Sequence, residues 1–147
     1  YKVNRKPDVI IFEGWCVGAR PESSKTLKKN VNSMEKNDDN KLIWRKYVNN
    51  QLKKEYKKLY SKLDCLLFLR AENFSLLQKW RVIQEKKLKL KNKSKKTKQK
   101  IMTKKEVLSF MQTYQRITQN MFKYAPKYAS IVIKLNSKHQ INSVKYN

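Results

Sequence analysis

The run Asp8-Val-Ile-Ile-Phe-Glu-Gly14 decides the fold class that the sequence predicts. It is short, continuous and apolar, a pattern typical of a strand that is covered on both faces in a parallel sheet. Similar runs follow at residues 64–70 and 129–135, and a weaker one at 141–146 has the pattern of an edge strand. Because helical segments separate these runs, the order predicts an α/β protein with a parallel sheet.

Three helices are predicted from the spacing of apolar residues. One apolar stripe covers residues 40–63, and a second covers residues 73 to about 90. The third helix begins after Thr103, which has Glu106 three residues later and so matches a capping box. Residues 15–40 show no sustained period, and long loops of this kind often carry function.

Charge is the unusual feature of the composition. The chain has 147 residues, 39% of them hydrophobic, which is enough for one domain or part of one. Its 36 Lys and Arg against 11 Asp and Glu give a net charge of +25, which favours a nucleic-acid partner. Only six of the basic residues are Arg, a bias that AT-rich codons alone can produce. Residues 86–105 contain eleven lysines and no acid, so we expect a solvated segment that is not packed over its whole length.

The cysteines favour a reducing, cytoplasmic setting. Cys16 and Cys65 lie 49 positions apart, and the single His139 is distant from both, so neither a disulfide framework nor a zinc site is predicted. Both cysteines are expected to be small buried residues. No apolar run approaches the roughly 18 residues of a spanning helix, so no membrane partner is predicted. The first predicted strand follows Tyr1 so closely that we expect a piece whose beginning is missing.

Glu13 is the first candidate for chemistry, because it lies at the carboxyl end of the first predicted strand. Ligands of open α/β sheets bind outside those strand ends, and a carboxylate there can hold Mg²⁺ beside the phosphates of a nucleotide. The alternative is that Glu13 only begins a solvated turn. Gly14 supplies the open backbone angles that such a turn needs.

Several motifs occur in an order that is more specific than any one of them. They are Glu13-Gly-Trp15, Trp44-Arg45, Trp80-Arg81 with Gln84-Glu85, and Tyr114-Gln-Arg116. Together they resemble the plant-type D-glycerate 3-kinases, which are P-loop kinases allied to uridine kinase and phosphoribulokinase. The resemblance covers nearly all 147 residues.

The resemblance implies an enzyme that transfers the γ-phosphoryl group of ATP to D-glycerate, giving 3-phosphoglycerate, with Mg²⁺ as cofactor. It implies a three-layer P-loop kinase-type parallel sheet with flanking helices and a basic lid, in which residues 86–105 are the lysine-rich part. Glu13 matches the acid of the Walker B strand and would hold Mg²⁺ or its water, with Gly14 beside the nucleotide. Arg81 and Arg116 lie on the lid helices, where guanidinium groups would neutralise the transferring phosphate.

The acceptor, D-glycerate or a similar hydroxylated molecule, would bind in the loop after the Walker B strand. Asn32 and Glu35 lie in this loop, and Arg45 follows shortly after it. Asn and Glu also serve local turns and caps, so a loop-structuring role for both stays open. A surface position for Arg45 is equally compatible with the sequence.

The lid residues also have structural alternatives. Arg81 and Glu85 are four residues apart on one helix, which is the spacing of an ion pair. Arg116 either flanks the apolar stripe in solvent or turns toward the phosphates. Trp44 and Trp80 lie on apolar stripes and are predicted to be core residues.

The sequence departs from the family in one large respect. The phosphate loop G-x-x-x-x-G-K-[ST] has no match, and the only two glycines are Gly14 and Gly18. We therefore expect residues 1–147 to be the carboxyl-terminal part of a single P-loop kinase domain, inactive without the phosphate-loop unit. An inactive remnant and a basic nucleic-acid-binding protein remain alternatives. No motif for specific nucleic-acid recognition is present.

Overall fold

The computed structural model describes residues 5–92 and 101–147 of the chain. Its three-stranded sheet has the order β1 (Leu67–Arg70), β2 (Ile131–Leu135) and β3 (Ile141–Tyr146). β1 and β2 are parallel, whereas β3 runs antiparallel to β2. The α/β class is confirmed, but the sheet is mixed, because a short turn brings β3 back along β2. The predicted edge strand at 141–146 is present.

Six α-helices accompany the sheet in the described residues. They are α1 (Ser24–Leu27), α2 (Ser33–Asn37), α3 (Ile43–Lys53), α4 (Glu55–Tyr60), α5 (Phe74–Asn92) and α6 (Lys104–Tyr124). The two long helices, α5 and α6, pack against each other and form the crossover from β1 to the parallel strand β2. No helix in residues 5–92 and 101–147 is both long and apolar enough to cross a membrane.

The starts of the long helices follow from their capping residues. Thr103 accepts a hydrogen bond from the backbone N–H of Glu106 at 3.2 Å, and the Glu106 carboxylate accepts one from the N–H of Thr103 at 2.7 Å. The predicted capping box is therefore confirmed. Asn73 caps α5 in a similar way, since its side-chain oxygen accepts from the N–H of Leu76 at 2.9 Å.

Helix α6 is common to the two apolar clusters of the core. One cluster contains Ala19, Leu52, Met121 and Ala125, and the other contains Phe74, Val107 and Met111. Val107 and Met111 are fully buried and join α6 to the start of α5. Met121, further along α6, belongs to the same cluster as the loop residue Ala19. Helix α6 therefore holds the crossover on one side and the loop after residue 14 on the other.

The predicted first strand at residues 8–14 is not formed in this chain. The segment has no regular secondary structure, and Val9, Ile10 and Ile11 are 76%, 79% and 86% exposed. A strand requires backbone partners on a neighbouring strand, and none of the described strands pairs with this segment. The prediction was wrong here because an apolar run indicates a tendency to be buried, not the presence of a partner.

The predicted helix over residues 40–63 is broken, and its buried face differs from the predicted one. The backbone leaves the helical region at Lys54, with φ −107° and ψ −85°, which separates α3 from α4. Arg45 and Asn49 are buried on α3, whereas Trp44 is 67% exposed. The core position predicted for Trp44 was therefore wrong, because ion pairs described below turn the polar face of α3 inward.

The two cysteines differ in their burial. Both cysteines are free thiols, and Cys65 is exposed, contrary to prediction. Burial raises the pKa of the Cys16 thiol to about 11, which keeps it protonated near neutral pH.

The ends of the lysine-rich segment are helical, since α5 continues to Asn92 and α6 begins at Lys104. Residues 93–100, where a solvated segment is expected, lie outside the described residues.

Gly18→Ala should lower the free energy of unfolding by about 1–3 kcal/mol, because the substitution strains a left-handed backbone. Gly18 has φ +81°, and an added Cβ would lie 2.7 Å from Cδ2 of Leu66. Urea denaturation measures the change. Gly14→Ala is the matched control, since Gly14 lacks a positive φ and its Cβ would lie 3.0 Å from Cγ2 of Val17. Equal destabilisation by the two substitutions would contradict the conclusion that the left-handed backbone at Gly18 requires glycine.

Candidate functional site: a buried arginine cluster and a groove along helix α5

Five charged residues meet where the loop after Gly18, helix α3 and helix α6 come together. This buried arginine cluster consists of Arg45, Arg116, Glu22, Glu35 and Asp39. Their side chains are between 4% and 13% exposed. Charges this far from water are stable only when they are paired and hydrogen-bonded.

Arg116 has all five of its N–H groups engaged by the protein. Its Nε and Nη2 atoms donate to the two carboxylate oxygens of Glu35, both at 2.7 Å, which makes a bidentate pair. Nη1 donates to Glu22 Oε2 at 3.0 Å and to the carbonyl of Thr26 at 3.5 Å. Nη2 also donates to the carbonyl of Lys29 at 2.5 Å. Burial lowers the pKa of Arg116, but the carboxylates of Glu35 and Glu22 outweigh this effect, so its pKa is raised overall.

Arg45 is held in the same way from helix α3. It donates to Asp39 Oδ2 at 2.9 Å, to Glu35 Oε2 at 3.2 Å and to Asn30 Oδ1 at 2.6 Å. Its remaining N–H groups donate to the backbone carbonyls of Glu35 and Asp39. Glu35 therefore accepts hydrogen bonds from both buried arginines and links α3 to α6.

Asp39 caps helix α3 although it lies outside the helix. Its carboxylate oxygens accept from the backbone N–H groups of Trp44 at 2.9 Å and Arg45 at 3.1 Å. Leu42, the residue directly before α3, has φ 61°, and this left-handed backbone turns the chain so that Asp39 lies near the start of the helix. Burial raises the pKa of Asp39, but these N–H groups and the Arg45 guanidinium more than offset it, so its pKa is lowered overall.

Asn32 joins the cluster to helix α6 from the other side of α2. Its side-chain oxygen accepts from the N–H of Glu35 at 2.9 Å, so Asn32 is the N-cap of α2. Its side-chain amide donates to the carbonyl of Gln112 at 2.9 Å and to Gln115 Oε1 at 3.2 Å. The structure thus brings together Asn32, Glu35 and Arg45, the three residues predicted to bind substrate. All three form hydrogen bonds with groups of the protein itself, and substrate binding by them stays a prediction.

A cavity of about 430 Å³ lies beside the buried arginine cluster. Its wall is mostly apolar and includes Leu27, Met34, Trp44, Val48, Leu52 and Ile117. Arg20 also borders this cavity, and its guanidinium carbon lies 3.7 Å from the ring centroid of Tyr128. The size is within the range of small-molecule sites.

A second cavity, of about 570 Å³, forms a groove along helix α5. This α5 groove is lined by Trp15, Leu77, Trp80, Arg81, Ile83, Gln84, Lys87, Leu88, Lys91 and His139. The rings of Trp80 and His139 stack with centroids 4.0 Å apart, and Trp80 Nε1 donates to the carbonyl of Ser137 at 3.3 Å. Trp80 is therefore half-buried against the β2–β3 turn and keeps part of its ring at the groove.

Arg81 makes the local ion pair that its spacing allows. Nη2 lies 2.6 Å from Glu85 Oε1, and Nη1 donates to Gln84 Oε1 at 3.3 Å. The side chain of Arg81 nevertheless remains 21% exposed on the wall of the α5 groove. The ion pair and a role at the groove are therefore compatible.

Glu13 lies in a different environment from the arginines. It is exposed and forms no hydrogen bond or ion pair with a residue in the described part of the chain. Within residues 5–92 and 101–147, no three His, Cys, Asp or Glu side chains form a group that could hold a metal ion. Two residues later, the ring of Trp15 stacks on Tyr114 of α6, with centroids 4.6 Å apart and planes 2° apart. Glu13 and Gly14 therefore precede a residue that borders the α5 groove.

Several important residues were not predicted from the sequence. Glu22 and Gln112 have no local pattern that marks them, because their partners are 94 and 78 to 80 positions away. A usable signal exists on α3, where Arg45 and Asn49 are four residues apart and share one helix face with Leu52.

The fold defines this chain as an α/β unit, in which helices α5 and α6 form the crossover between two parallel strands in the order that the sequence predicted. The D-glycerate 3-kinase from Cryptococcus neoformans var. grubii serotype A has the same fold, with a TM-score of 0.72, over 99% of this chain and 52% of that chain. The sequence identity is 24%. The predicted resemblance to D-glycerate 3-kinases is thus confirmed for the fold.

Two further proteins are similar to this chain, one in sequence and one in structure. The uncharacterized kinase mug58 from Schizosaccharomyces pombe is 33% identical over 106 residues, covering 71% of this chain and 35% of the relative. The YGR205w protein has a similar structure, with a TM-score of 0.52 and 20% identity over 90% of this chain and 45% of that chain. This chain therefore spans between 35% and 52% of the length of these relatives. No protein-family profile matches the sequence.

Glu35→Gln should lower the free energy of unfolding by about 3–5 kcal/mol, because it removes one partner of a buried charge network. Glu35 lies within 2.7 Å of Arg116 and 3.2 Å of Arg45. Glu55→Gln is the matched control, since Glu55 pairs with Lys58 at the surface and should cost at most about 1 kcal/mol. Urea denaturation of both variants measures the difference, and similar costs would contradict the role of Glu35.

Asp39 should make stability depend on acid pH. Its folded pKa is lowered, so its contribution is complete above the unfolded value of about 3.9 and is lost as pH falls through the folded pKa. Asp39→Asn should therefore cost about 1–3 kcal/mol at neutral pH and progressively less below about pH 4. Unfolding free energies of wild type and variant between neutral and acid pH test this. A deficit that does not change with pH contradicts it.

Proposed function

We propose that this chain forms part of an ATP-dependent kinase that phosphorylates D-glycerate, or a similar small hydroxylated acid, in the cytoplasm. The observation that carries the proposal is the fold shared with a D-glycerate 3-kinase over 99% of this chain. The identity of 33% to a second kinase supports it. The activity is proposed for a protein in which residues 1–147 are combined with a phosphate loop, since their sequence contains no G-x-x-x-x-G-K-[ST].

The α5 groove is the proposed nucleotide side of the site. Arg81 and Lys87 place positive charge on its wall, and Trp15 and Trp80 offer aromatic surface to a base. A guanidinium fork suits a phosphate because it binds two oxygens at once and stays charged. In this arrangement Arg81 contacts phosphate oxygens and neutralises charge that develops during transfer. Helices α5 and α6 would then act as the predicted basic lid.

Glu13 is the proposed Mg²⁺ residue, and its environment fits that role. Mg²⁺ in kinases is held by one or two carboxylates together with substrate phosphates and water, not by a closed protein cage. Glu13 is exposed and has no partner among the described residues, so its carboxylate is available. When bound, Mg²⁺ would neutralise charge on the phosphates. Gly14 follows this carboxylate at the start of a turn, in which the N–H of Val17 donates to the Gly14 carbonyl at 3.5 Å.

The cavity beside the buried arginine cluster is the proposed acceptor side. Arg20 lies on its wall and has no carboxylate partner within the described residues, so it can pair with the carboxylate of a small acid. Asn32, Glu35 and Arg45 hold the acceptor loop in shape through the contacts described above. For Arg116 to reach a phosphate it would have to leave Glu35 and Glu22, which costs about 3–5 kcal/mol for a buried pair. We therefore assign Arg116 a positioning role.

The proposed reaction needs few chemical groups from the protein. A hydroxyl oxygen of the acceptor forms a bond to the γ-phosphorus of ATP while the bond to the ADP oxygen breaks, and the hydroxyl proton is released. Such transfers depend mostly on positioning and on neutralising charge. Trp15 borders the α5 groove and Arg20 borders the other cavity, so the segment that follows Glu13 contributes to both. This supports placing the nucleotide and the acceptor next to that segment.

The test is ATP-dependent phosphorylation of D-glycerate by the protein expressed from its complete reading frame. Glu13→Gln should lower kcat by about tenfold to a thousandfold, the range expected when one metal-positioning or electrostatic interaction is removed. Glu55→Gln, an exposed carboxylate on α4, is the control and should leave kcat unchanged. Unchanged turnover of Glu13→Gln at saturating Mg²⁺ and ATP removes Glu13 from the mechanism. No transfer by the wild-type protein overturns the proposal.

A further inference from the structure

The cavity beside the buried arginine cluster is larger than D-glycerate requires. Its volume is about 430 Å³. At roughly 30 Å³ for each water-sized group, the carbons and oxygens of D-glycerate would fill about half of this volume. A ligand that occupies the whole cavity therefore has about twice as many non-hydrogen atoms as D-glycerate.

Most of the cavity wall is hydrocarbon. Leu27 and Met34 contribute to it from the loop, Val48 and Leu52 from α3, and Ile117 from α6. D-glycerate bears a hydroxyl or a carboxyl group on every carbon, so it offers these side chains little apolar surface. A ligand with an apolar substituent would remove its own hydrocarbon and that of the wall from water, which favours binding.

Most polar side chains on the wall are already bonded to the protein. The five charged residues of the buried arginine cluster pair with one another. Asn49 accepts from the N–H of Glu22 at 2.8 Å and donates to its carbonyl at 3.1 Å, and Thr113 donates to the carbonyl of Phe110 at 2.7 Å. The exposed side chain of Asp38 has no ion pair within the described residues and can accept a hydrogen bond from one hydroxyl. The wall therefore suits a ligand with few hydroxyl groups.

Arg20 is a positive charge on this wall that remains available. Its guanidinium carbon lies 3.7 Å from the ring centroid of Tyr128, whose hydroxyl donates to the carbonyl of Gly18 at 2.9 Å. Asn120 Nδ2 donates to the carbonyl of Arg20 at 2.9 Å. These contacts hold Arg20 in place without using its guanidinium N–H groups, and no carboxylate pairs with it in the part of the chain that the structure describes. The fork is therefore free to bind a carboxylate.

We propose that this cavity takes a hydroxy acid with an apolar substituent of about three to six carbons, and that D-glycerate is a weaker ligand. The carboxylate binds Arg20, and the substituent lies against Val48, Leu52 and Ile117. As a statement about the phosphoryl acceptor, this inference rests on the proposed function, whereas the binding preference does not. The transfer step is the one described above, with a hydroxyl of this acid as the nucleophile.

A series of 2-hydroxy acids tests the binding preference. Isothermal titration calorimetry gives Kd for the propanoate, butanoate, pentanoate and hexanoate with the protein expressed from its complete reading frame. Each added methylene should tighten binding about threefold, because it leaves water for the apolar wall. The hexanoate should therefore bind about 30-fold more tightly than the propanoate. A Kd that stays constant along the series overturns the proposal.

Val48→Phe tests whether the substituent lies in this cavity. Val48 borders the cavity, so the larger ring should fill part of it and lower the preference for the hexanoate over the propanoate by about tenfold. Ile43→Phe is the matched control, since Ile43 lies on the same helix, is 67% exposed and does not border the cavity. Equal effects of the two substitutions overturn the proposal. Circular dichroism verifies folding, and Val48→Thr against Ile43→Thr, which should shift the preference in the same direction, replaces a variant that fails to fold.

ATP-dependent transfer separates this inference from the proposed function. The two acceptors are D-glycerate and 2,4-dihydroxy-3,3-dimethylbutanoate, which also has a primary hydroxyl but carries two methyl groups. The substituted acid should have a kcat/KM about tenfold higher. A higher kcat/KM for D-glycerate overturns the inference and leaves the proposed function standing. Transfer to neither acid overturns the proposed function, and the calorimetric series then supports or overturns the binding preference by itself.

Discussion

The carboxylate of Glu35 binds two buried guanidinium groups that come from different helices, and the position of the whole loop between residues 18 and 42 depends on it. Arg116 reaches it from α6 with two bonds of 2.7 Å, and Arg45 reaches it from α3 at 3.2 Å. If any member of this network lost its partner, a charge would remain buried, unpaired and away from water. The loop therefore has one favourable arrangement, although it contains only two short helices.

The helix starts and the later strands could be predicted because their signals are local. Thr103 and Glu106 are three residues apart, and the apolar run of β2 is continuous, so neither needs knowledge of distant residues. The strand at residues 8–14 could not be judged locally, since a strand exists only if another backbone pairs with it. The prediction of the buried face of α3 was wrong for a related reason. The sequence shows the apolar stripe of α3, but it does not show that Arg45 forms ion pairs with the distant Glu35 and the nearby Asp39. These ion pairs outweigh the burial of Trp44 in the core.

The candidate site shows the same division between local and distant information. Glu35, Arg45 and Arg116 were predicted to be site residues, and the structure brings these three together. Their number and order along the chain gave no indication that they bind one another. Pairings across 81 positions, such as the one between Arg116 and Glu35, require the fold to be known. Arg81 was different, since its partner Glu85 is one helical turn away and the pair was anticipated.

Amide hydrogen exchange tests most directly whether the buried arginine cluster holds the loop in place. The N–H of Val31 donates to Glu35 Oε2, and the N–H of Met34 donates to Gln112 Oε1, so both should exchange slowly in the wild-type chain. In Arg116→Leu these two amides should exchange at least about tenfold faster, while the amides of the central strand β2 keep their protection. Unchanged exchange of Val31 and Met34 in a folded variant would contradict the account.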